Sequence, residues 1–477
     1  MRYGFIERRR RAAARASLYG SLLLVGAATL LAHHYLHLTP ARRVEREWFD
    51  VDWEQRPEVR LLQQAARIDS NVADGDELAA ALFLATALEA AGIPVHVERL
   101  GARRANLWAI LEGEERGALV LHSHLDVEPV GSLDLWEHPP FSAVLRPPWI
   151  HGRGVFDMKS YTVAQLLAFL RLAAEHPRPH RSVILLATSG EERGSDLGMR
   201  WILREHPELV ERFWAVLTEG GVVEARSLED LKYWGTEIGQ KSYVQVWACA
   251  PTRERLDELA ADLFELHERQ VVASPPDPSI RTFWQGYAAT RDRADLRELV
   301  ADPDRPARDP AAFRALPRYL RLMLRNGLSW WEPRPAGAGG WEMRLILQLL
   351  PGADVERELA SMVPDWMLAG VSLGPPRPAP PSVLSPADHP VMRAIAEQLR
   401  ADHPGARSGP FYLPATGTDS RFLRAHGIPS YGFSPFYILT TDTVHVDNPN
   451  ERIALPGYSK GVELYARLVE RIAQAGD

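Results

Sequence analysis

Between residues 76 and 217, short apolar segments alternate with stretches of helical periodicity. The strand-like segments are Asn106–Leu111, Leu119–Leu121, Val183–Ala187 and Trp214–Leu217, and the helical ones are Asp76–Ala91, Tyr161–Ala174 and Met199–Arg204. Strands separated by helices are typical of layers in which a helix carries the chain back between parallel neighbours. We therefore predict an α/β fold with a mostly parallel central sheet.

The pattern changes after Lys241. Residues 242–250 (SYVQVWACA) and Trp341–Leu350 are strand-like and Glu254–Val272 is an amphipathic helix, so we predict a separate α+β unit inserted into the main domain. Helical patterns near Pro390–Ala401 and Gly457–Ala473 mark the return of the α/β pattern. The predicted organisation is an N-terminal tail and anchor over 1–40, the main domain over 41–240 and 373–477, and the insertion over 241–372.

The N-terminus carries Arg2, Arg8 to Arg11 and Arg15 ahead of an uncharged stretch over residues 16–32. A hydrocarbon core of about 30 Å needs about 17 to 25 helical residues, and basic residues stay cytoplasmic. We predict a single-pass membrane anchor with the remaining chain on the non-cytoplasmic side. A cleaved signal peptide, ending near the small residues at 25–27, is the alternative, and the protein would then be secreted.

Composition excludes several function classes. The formal net charge is −7, and the basic residues cluster only at the N-terminus, so a nucleic-acid partner is not expected. Cys249 is the single cysteine, so the fold contains no internal disulfide. The hydrophobic fraction of 46% and the charged fraction of 25% are typical of globular proteins.

Histidine and acidic residues follow the ends of the predicted strands, where open α/β sheets bind their ligands. They occur in five segments and comprise His124 with Asp126, Asp157, the pair Glu191 and Glu192, Glu219, and His445. Each segment alone is ordinary, since a pair such as Glu191–Glu192 is commonly a solvated turn. Together they provide a mixed nitrogen and oxygen donor set that suits zinc and can hold two ions if one carboxylate bridges.

Local pattern leaves one choice open in the first segment. His122 and His124 are two residues apart on the same face of a strand, so either imidazole could be the ligand. Asp126 follows where a carboxylate could hold the imidazole tautomer that metal binding requires.

The motifs resemble a known family, the cocatalytic zinc metallopeptidases that include carboxypeptidase S, aminoacylase-1, glutamate carboxypeptidase and succinyl-diaminopimelate desuccinylase. The resemblance covers roughly residues 60 to 475 and rests on SHLDVEPV, WEHPPFSA with HGRGVFDMK, SGEERG, TEGG, GTDSRFL and HVDNPNERI, in that order. The long insertion is most similar to the carboxypeptidase S and N-acyl-amino-acid hydrolase branch.

The resemblance implies a role for each of these residues. His124, Asp157 and Glu219 would hold one zinc ion, and Asp157, Glu192 and His445 the other, with Asp157 bridging. Glu191 would be the general base, Asp126 would orient His124, and the Asp157–Met158 bond would be cis. The segment Gly417, Thr418, Asp419, Ser420 and Arg421 would line the substrate pocket, with the planar fork of Arg421 suited to a carboxylate.

Several positions depart from the pattern that the resemblance implies. Gly190 and Thr218 replace acidic residues beside the ligands, and the insertion has Pro251-Thr252-Arg253 where a Gly-His pair is expected. Gln348 stands where an arginine is expected, and His267 or Arg344 are candidate substitutes for the missing groups. Four residues separate His445 from Asn450-Glu451, where the resemblance implies about two.

The predicted function is a membrane-anchored dizinc hydrolase, with cobalt or manganese as alternative ions, that cleaves an amide bond in small peptides or N-acyl amino acids with a free carboxylate. The inserted unit is expected to act as a lid and to pair two subunits as a homodimer. The alternative, favoured by the missing histidine, is a protein that retains metal and binds substrate with little or no turnover.

Overall fold

The computed structural model describes residues 51–225, 231–269, 273–290, 293–337, 339–438 and 443–476. Their strands are β1 (Val95–Arg99), β2 (Ala105–Leu111), β3 (Glu115–His124), β4 (Val144–Arg146), β5 (Trp149–His151), β6 (Arg181–Thr188), β7 (Phe213–Thr218), β8 (Val222–Ala225), β9 (Leu231–Gln240), β10 (Ser242–Ala250), β11 (Gly327–Trp330), β12 (Arg334–Pro335), β13 (Trp341–Leu349), β14 (Ser372–Leu373), β15 (Arg407–Leu413), β16 (Ser430–Gly432) and β17 (Arg452–Ala454).

The α-helices of the described residues include one on each of the six predicted helical segments, together with others that were not predicted. They are α1 (Pro57–Ala66), α2 (Glu77–Ala90), α3 (Lys159–Glu175), α4 (Met199–Glu205), α5 (Pro207–Val210), α6 (Arg253–Arg269), α7 (Arg281–Ala288), α8 (Ala294–Ala301), α9 (Arg305–Arg308), α10 (Pro310–Ala315), α11 (Arg318–Leu322), α12 (Val355–Met362), α13 (Pro390–Asp402), α14 (Ser420–Ala425) and α15 (Leu455–Gln474). Helix α2 begins after Asp76, whose side chain accepts a hydrogen bond from the backbone N–H of Ala79, a typical N-cap.

The described residues form two compact units. We name the first the catalytic unit; it comprises residues 51–239, 385–411 and 418–476. The second, the inserted unit, comprises residues 240–384 and 412–417, where the sequence analysis places the insertion at 241–372.

The main sheet has nine strands in the order β1-β2-β6-β3-β7-β16-β9-β15, with β8 beside β9. Strands β6, β3, β7 and β16 are parallel, whereas β1, β2 and β9 pair antiparallel with their neighbours. The predicted mostly parallel sheet is therefore wrong for the flanking strands, and the sheet is mixed. The connection between β1 and β2 covers only residues 100–104, which is too short for the crossover that parallel strands need.

The catalytic unit buries its sheet between helices. Residues of β3, β6 and β7 pack against α4, and α1, α3 and α15 form a second cluster around Tyr161 and Tyr458. Strand β6 is buried over its whole length, as expected for a strand covered on both faces. The parallel strands therefore form a rigid base for the loops that follow them.

The inserted unit contains a five-stranded sheet, β11-β13-β10-β14 with β12 beside β13, and one side packs against α6. Burial alternates along β10 and β13, as the sequence pattern predicts for a sheet with one covered face. In the described part of the chain, no helix has the length and apolar character needed to cross a bilayer. The predicted anchor over residues 16–32 lies outside the described residues.

Candidate metal centre

The candidate site lies at the carboxyl ends of three adjacent parallel strands. Strand β3 ends at His124, β6 ends shortly before Glu191, and β7 ends directly before Glu219. Because parallel strands end at the same edge of a sheet, residues distant in sequence converge there.

His124 is the nitrogen donor of the first cluster, which also contains Asp157 and Glu219. Its Nε2 lies 3.1 Å from Asp157 Oδ1 and 3.8 Å from Glu219 Oε2. Its Nδ1 donates to the backbone carbonyl of Asp126 at 2.9 Å and lies 3.4 Å from that residue's Oδ1. With the proton on Nδ1, the Asp126 contacts would direct the Nε2 lone pair at the two carboxylates, the orienting role that the resemblance implies for Asp126.

His122, the alternative candidate, faces other partners. Its Nε2 lies 2.9 Å from the hydroxyl of Thr188 and its Nδ1 lies 3.0 Å from the hydroxyl of Thr218. Burial, together with the charge of His124, lowers the pKa of His122 to about 3. His122 is therefore a neutral, hydrogen-bonded core residue, and the threonine at position 218 has a structural reason.

Asp157, Glu192 and Asp447 form the second cluster, in which one oxygen from each carboxylate lies within 4.8 Å of the others. Asp157 thus belongs to both clusters, and the Asp157–Met158 peptide is cis, as predicted. The described residues grouped around Asp157 and Glu192 do not include His445, whose Nδ1 lies 3.4 Å from the carbonyl of Pro449.

Sequence reasoning missed Asp447, although a signal for it was present. Two residues separate Asp447 from Asn450-Glu451, which is the spacing that the resemblance implies for the ligand. His445 has the residue type that the resemblance implies for the ligand, whereas Asp447 has the spacing.

Asp126 also shapes the turn that carries the two glutamates. Its Oδ1 accepts the N–H of Glu191 and its Oδ2 the N–H of Glu192, both at 3.0 Å. The turn is flanked by Gly190 at φ 70° and Gly194 at φ 91°, a left-handed conformation that favours glycine. Gly190 therefore has a backbone reason to replace the acidic residue that the resemblance leads one to expect.

The electrostatics of the two clusters fit a divalent cation. Burial and the neighbouring Asp157 raise the pKa of Glu192 to about 11 and that of Glu219 to about 7. Glu192 Oε1 is fully buried and has no hydrogen-bond partner among the described residues. Crowded carboxylates with an unpartnered buried oxygen are the donor set that a divalent ion satisfies.

The predicted general base and the predicted pocket residues lie beside these clusters. Glu191 Oε1 is 3.5 Å from Arg421 Nη1, and burial raises the pKa of Glu191 well above its ordinary value although Arg421 opposes the shift. Asp419 accepts a hydrogen bond from the Ser195 hydroxyl, and its Oδ2 lies 3.7 Å from His122 Nε2.

The other predicted pocket residues have backbone or core roles. Arg421 Nη1 donates to the backbone carbonyl of Thr418 at 3.1 Å, and Ser420 is buried with its hydroxyl 2.8 Å from that of Ser430. Gly417 is grouped with the inserted unit, whereas the residues from Thr418 onward are grouped with the catalytic unit. Arg421, whose side chain is 19% exposed, is therefore the member of this segment best able to meet a ligand.

A buried ion pair that the sequence analysis did not identify supports Asp157. Arg153 Nη1 and Glu451 Oε2 are 2.7 Å apart, and both side chains are almost completely buried. The same carboxylate accepts the backbone N–H groups of Gly154, Phe156 and Asp157 at 3.0, 2.8 and 3.2 Å. Glu451 thus holds the backbone of Asp157, the residue that both clusters share.

His267 and Arg344, the candidate substitutes in the insertion, have partners within the inserted unit. The His267 ring packs near Trp330, with ring centroids 6.4 Å apart, and the Arg344 guanidinium lies 3.9 Å from the centre of the Trp331 ring. Whether either residue replaces the missing groups stays a prediction.

Comparison with known proteins agrees with this geometry. The sequence model described as peptidase family M20/M25/M40 matches residues 120–471. Aminoacylase-1B from Rattus norvegicus is 26% identical over 366 residues, which cover 75% of this chain and 80% of that one. A succinyl-diaminopimelate desuccinylase from Stutzerimonas stutzeri (strain A1501) is 35% identical over 128 residues, 26% of this chain and 32% of that one.

The chain thus spans about a third of the length of the desuccinylases that head the curated relatives. Among solved structures, human carnosine dipeptidase 1 superposes with a TM-score of 0.64 at 15% identity, covering 90% of this chain and 98% of that one. At this level of identity the likeness establishes the fold.

Proposed function

The chain belongs to peptidase family M20/M25/M40. From that premise we propose that it is a metal-dependent amidohydrolase or peptidase that cleaves an amide bond next to a free carboxylate in a small peptide or an N-acyl amino acid. The names of an aminoacylase, a desuccinylase and a dipeptidase among the similar proteins support the proposal. The carboxypeptidase S branch remains the predicted position of this chain within the family.

One observation carries the proposal: Asp157 is shared by two carboxylate clusters, and Glu191 lies beside them. Members of the family typically bind two metal ions, and the two clusters offer a donor set for each. We assign His124, Asp157 and Glu219 to one ion, for which zinc is the proposed metal, and Asp157 and Glu192 to the other. The third ligand of the second ion, predicted as His445, is considered in the next subsection.

Bound at these positions, two divalent ions would polarise the scissile carbonyl and increase the acidity of the attacking water. Glu191 is placed to take the proton from that water and to return it to the departing amine nitrogen. Burial raises the pKa of Glu191, which makes its carboxylate a stronger base. Asp126 contributes by holding the backbone of Glu191 and the ring of His124 at the same time.

Arg421 supports the choice of substrate class. Its guanidinium lies 3.5 Å from the Glu191 carboxylate, so a cation is present where a substrate carboxylate could be held near the general base. A planar fork binds carboxylates through two parallel hydrogen bonds, which favours substrates with a free carboxyl group over their amides.

We also propose that residues 16–32 anchor the protein in a membrane with the catalytic unit on the non-cytoplasmic side. The arginine cluster ahead of this uncharged stretch supports the proposal. Deletion of residues 1–40 is expected to give an active protein that leaves the membrane fraction. Full-length protein that fractionates as soluble with an intact N-terminus would contradict the anchor.

Pairing of two subunits through the inserted unit is also proposed, and sedimentation of the truncated protein would measure it.

The test of the hydrolase proposal is an assay of the purified protein, loaded with zinc, cobalt or manganese, on dipeptides and N-acyl amino acids. Each substrate is paired with its carboxamide. We expect hydrolysis of at least one free acid, a lower rate for its amide, and loss of activity on chelation. Metal-loaded protein that binds these compounds without turnover would favour the alternative of a metal-retaining binding protein.

A further inference from the structure

The second cluster differs chemically from the first. His124 provides an imidazole nitrogen to the first cluster, whereas the described members of the second cluster, Asp157, Glu192 and Asp447, provide oxygen alone. Asp447 is the exposed member, while Asp157 and Glu192 are partly buried. The two ion positions that share Asp157 are therefore not equivalent.

His445 is not among the described residues grouped in this cluster, and its contacts are local. The N–H of Asn448 donates to the His445 carbonyl at 3.0 Å, and the His445 Nδ1 faces the Pro449 carbonyl at 3.4 Å. The described side-chain contact of His445 therefore lies within its own loop.

Asp447 is held in place by the same network that supports Asp157. Arg153 Nη2 donates to the Asp447 carbonyl at 3.1 Å, and Arg153 Nη1 contacts Glu451, which in turn accepts the N–H of Asp157 at 3.2 Å. Asp447 has φ 57°, in the left-handed region that aspartate tolerates better than most residues. The buried Arg153–Glu451 pair thus connects the backbones of two members of the cluster.

Donor chemistry then determines which ion suits this position. An imidazole donor suits zinc, and a set of carboxylates suits harder cations such as Mn²⁺. The unpartnered buried oxygen of Glu192 needs a cation or a proton. Asp447 provides the third carboxylate beside those of Asp157 and Glu192.

We propose that Asp447, and not His445, is the third ligand of the second ion, and that this all-oxygen position discriminates less in favour of zinc over Mn²⁺ than the position containing His124. This inference rests on the proposed dinuclear hydrolase but concerns ligand identity and metal preference. Metal binding measures both without reference to turnover.

The experiment loads metal-free, full-length protein with Zn²⁺ or Mn²⁺ alone, counts bound ions by elemental analysis, and follows bound Mn²⁺ by electron paramagnetic resonance. Wild type is expected to bind two ions. Asp447→Ala is expected to retain one, and His445→Ala is expected to retain two. Asp447→His should raise the preference of the second position for zinc over Mn²⁺ by at least about tenfold. Mutation of residues that only contact metal ligands already changes metal affinity by about 10- to 100-fold.

The outcomes separate the two proposals. If His445→Ala loses an ion and Asp447→Ala keeps both, or if Asp447→His leaves the metal preference unchanged, the ligand assignment is wrong and the hydrolase proposal stands. If wild type binds no ion, the hydrolase proposal fails as well. Asp447→Asn keeps the shape of the side chain and serves as a second variant beside Asp447→Ala. Thermal unfolding in chelator establishes that each variant is folded before its metal content is interpreted.

Discussion

The two halves of the metal centre are built on different kinds of structure. His124 and Glu219 follow the ends of adjacent parallel strands, so the hydrogen bonds of the sheet determine where their backbones lie. Asp447 belongs to a loop, and a buried ion pair between Arg153 and Glu451 holds it. The strand-end half, His124 and Glu219 with the Glu191 turn that Asp126 holds, takes its backbone position mainly from the sheet. The loop half, Asp447, depends on a few polar contacts. Perturbation of the ion pair should therefore affect the loop half more strongly.

The largest expected effect concerns Glu191 at the strand-end half. Glu191→Gln keeps the size of the side chain and the hydrogen bond from its N–H to Asp126, but it removes the proton acceptor. Turnover should fall by at least about 10²-fold, the scale of a positioned general base, while both ions remain bound. Assay and elemental analysis of the same preparation measure the two quantities. If metal content falls in proportion to activity, Glu191 is a metal ligand and the role of general base is wrong.

Glu451→Gln is the second prediction, and it should perturb the loop half. Removal of one partner of a buried ion pair leaves the other charge unpaired and lowers the free energy of unfolding by about 3 to 5 kcal/mol. Because the Arg153–Glu451 pair holds Asp157 and Asp447, binding of the second ion should weaken more than binding of the first. Denaturant unfolding in chelator and metal titration test these two expectations.

Glu115→Gln provides the control for this prediction. Glu115 lies 2.8 Å from Arg181 where β3 and β6 begin, whereas the candidate metal centre lies where these strands end. The Glu115 side chain is 34% exposed. The Arg181 side chain is 3% exposed, but Glu115 reaches solvent, so the loss of stability should be smaller than in Glu451→Gln, and no change in metal binding is expected. Equal losses of the second ion in the Glu451 and Glu115 variants would show that general destabilisation, not the ion pair, controls the loop half.

Arg421→Lys should have a smaller effect, confined to substrate binding. Lysine keeps the charge but loses the planar fork, so KM for substrates with a free carboxylate should rise by about tenfold, roughly the value of one charge-assisted hydrogen bond. The carboxamide substrates should change little, and the ratio of the two KM values is the measurement. Equal changes for both substrate forms would remove Arg421 from carboxylate recognition.

The strand-end half could be predicted from sequence because strand ends, acidic pairs and ordered motifs are local signals. His124, Glu191 and Glu219 lie where such signals place them, and only the choice between His122 and His124 needed the threonine contacts that the structure adds. The loop half depends on contacts between residues about 300 positions apart, such as Arg153 with Glu451, which no local pattern encodes. The antiparallel edges of the main sheet were missed for a related reason, because strand pairing is decided by tertiary packing.

The smallest predicted effect concerns a buried histidine of the inserted unit and the dependence of stability on pH. Burial, with a further contribution from Arg325, lowers the pKa of His267 to about 4, so this imidazole stays neutral in the folded inserted unit. Its unfolded-state pKa is about 6.5. The stability that follows from keeping His267 neutral is therefore complete above pH 6.5 and is lost as the pH falls from 6.5 towards 4.

His267→Gln removes this titration, so the difference in Tm between pH 7.5 and pH 5 should be smaller in the variant than in wild type. Chelator is present throughout, so that protonation of the metal ligands cannot change Tm through loss of bound ions. His96→Gln is the comparison variant, because it removes a histidine whose side chain is 51% exposed instead of a buried one. If His267→Gln keeps the wild-type difference in Tm, His267 makes no measurable contribution to the acid sensitivity. The sensitivity that remains in chelator then belongs to the crowded carboxylates of the catalytic unit or to other buried groups.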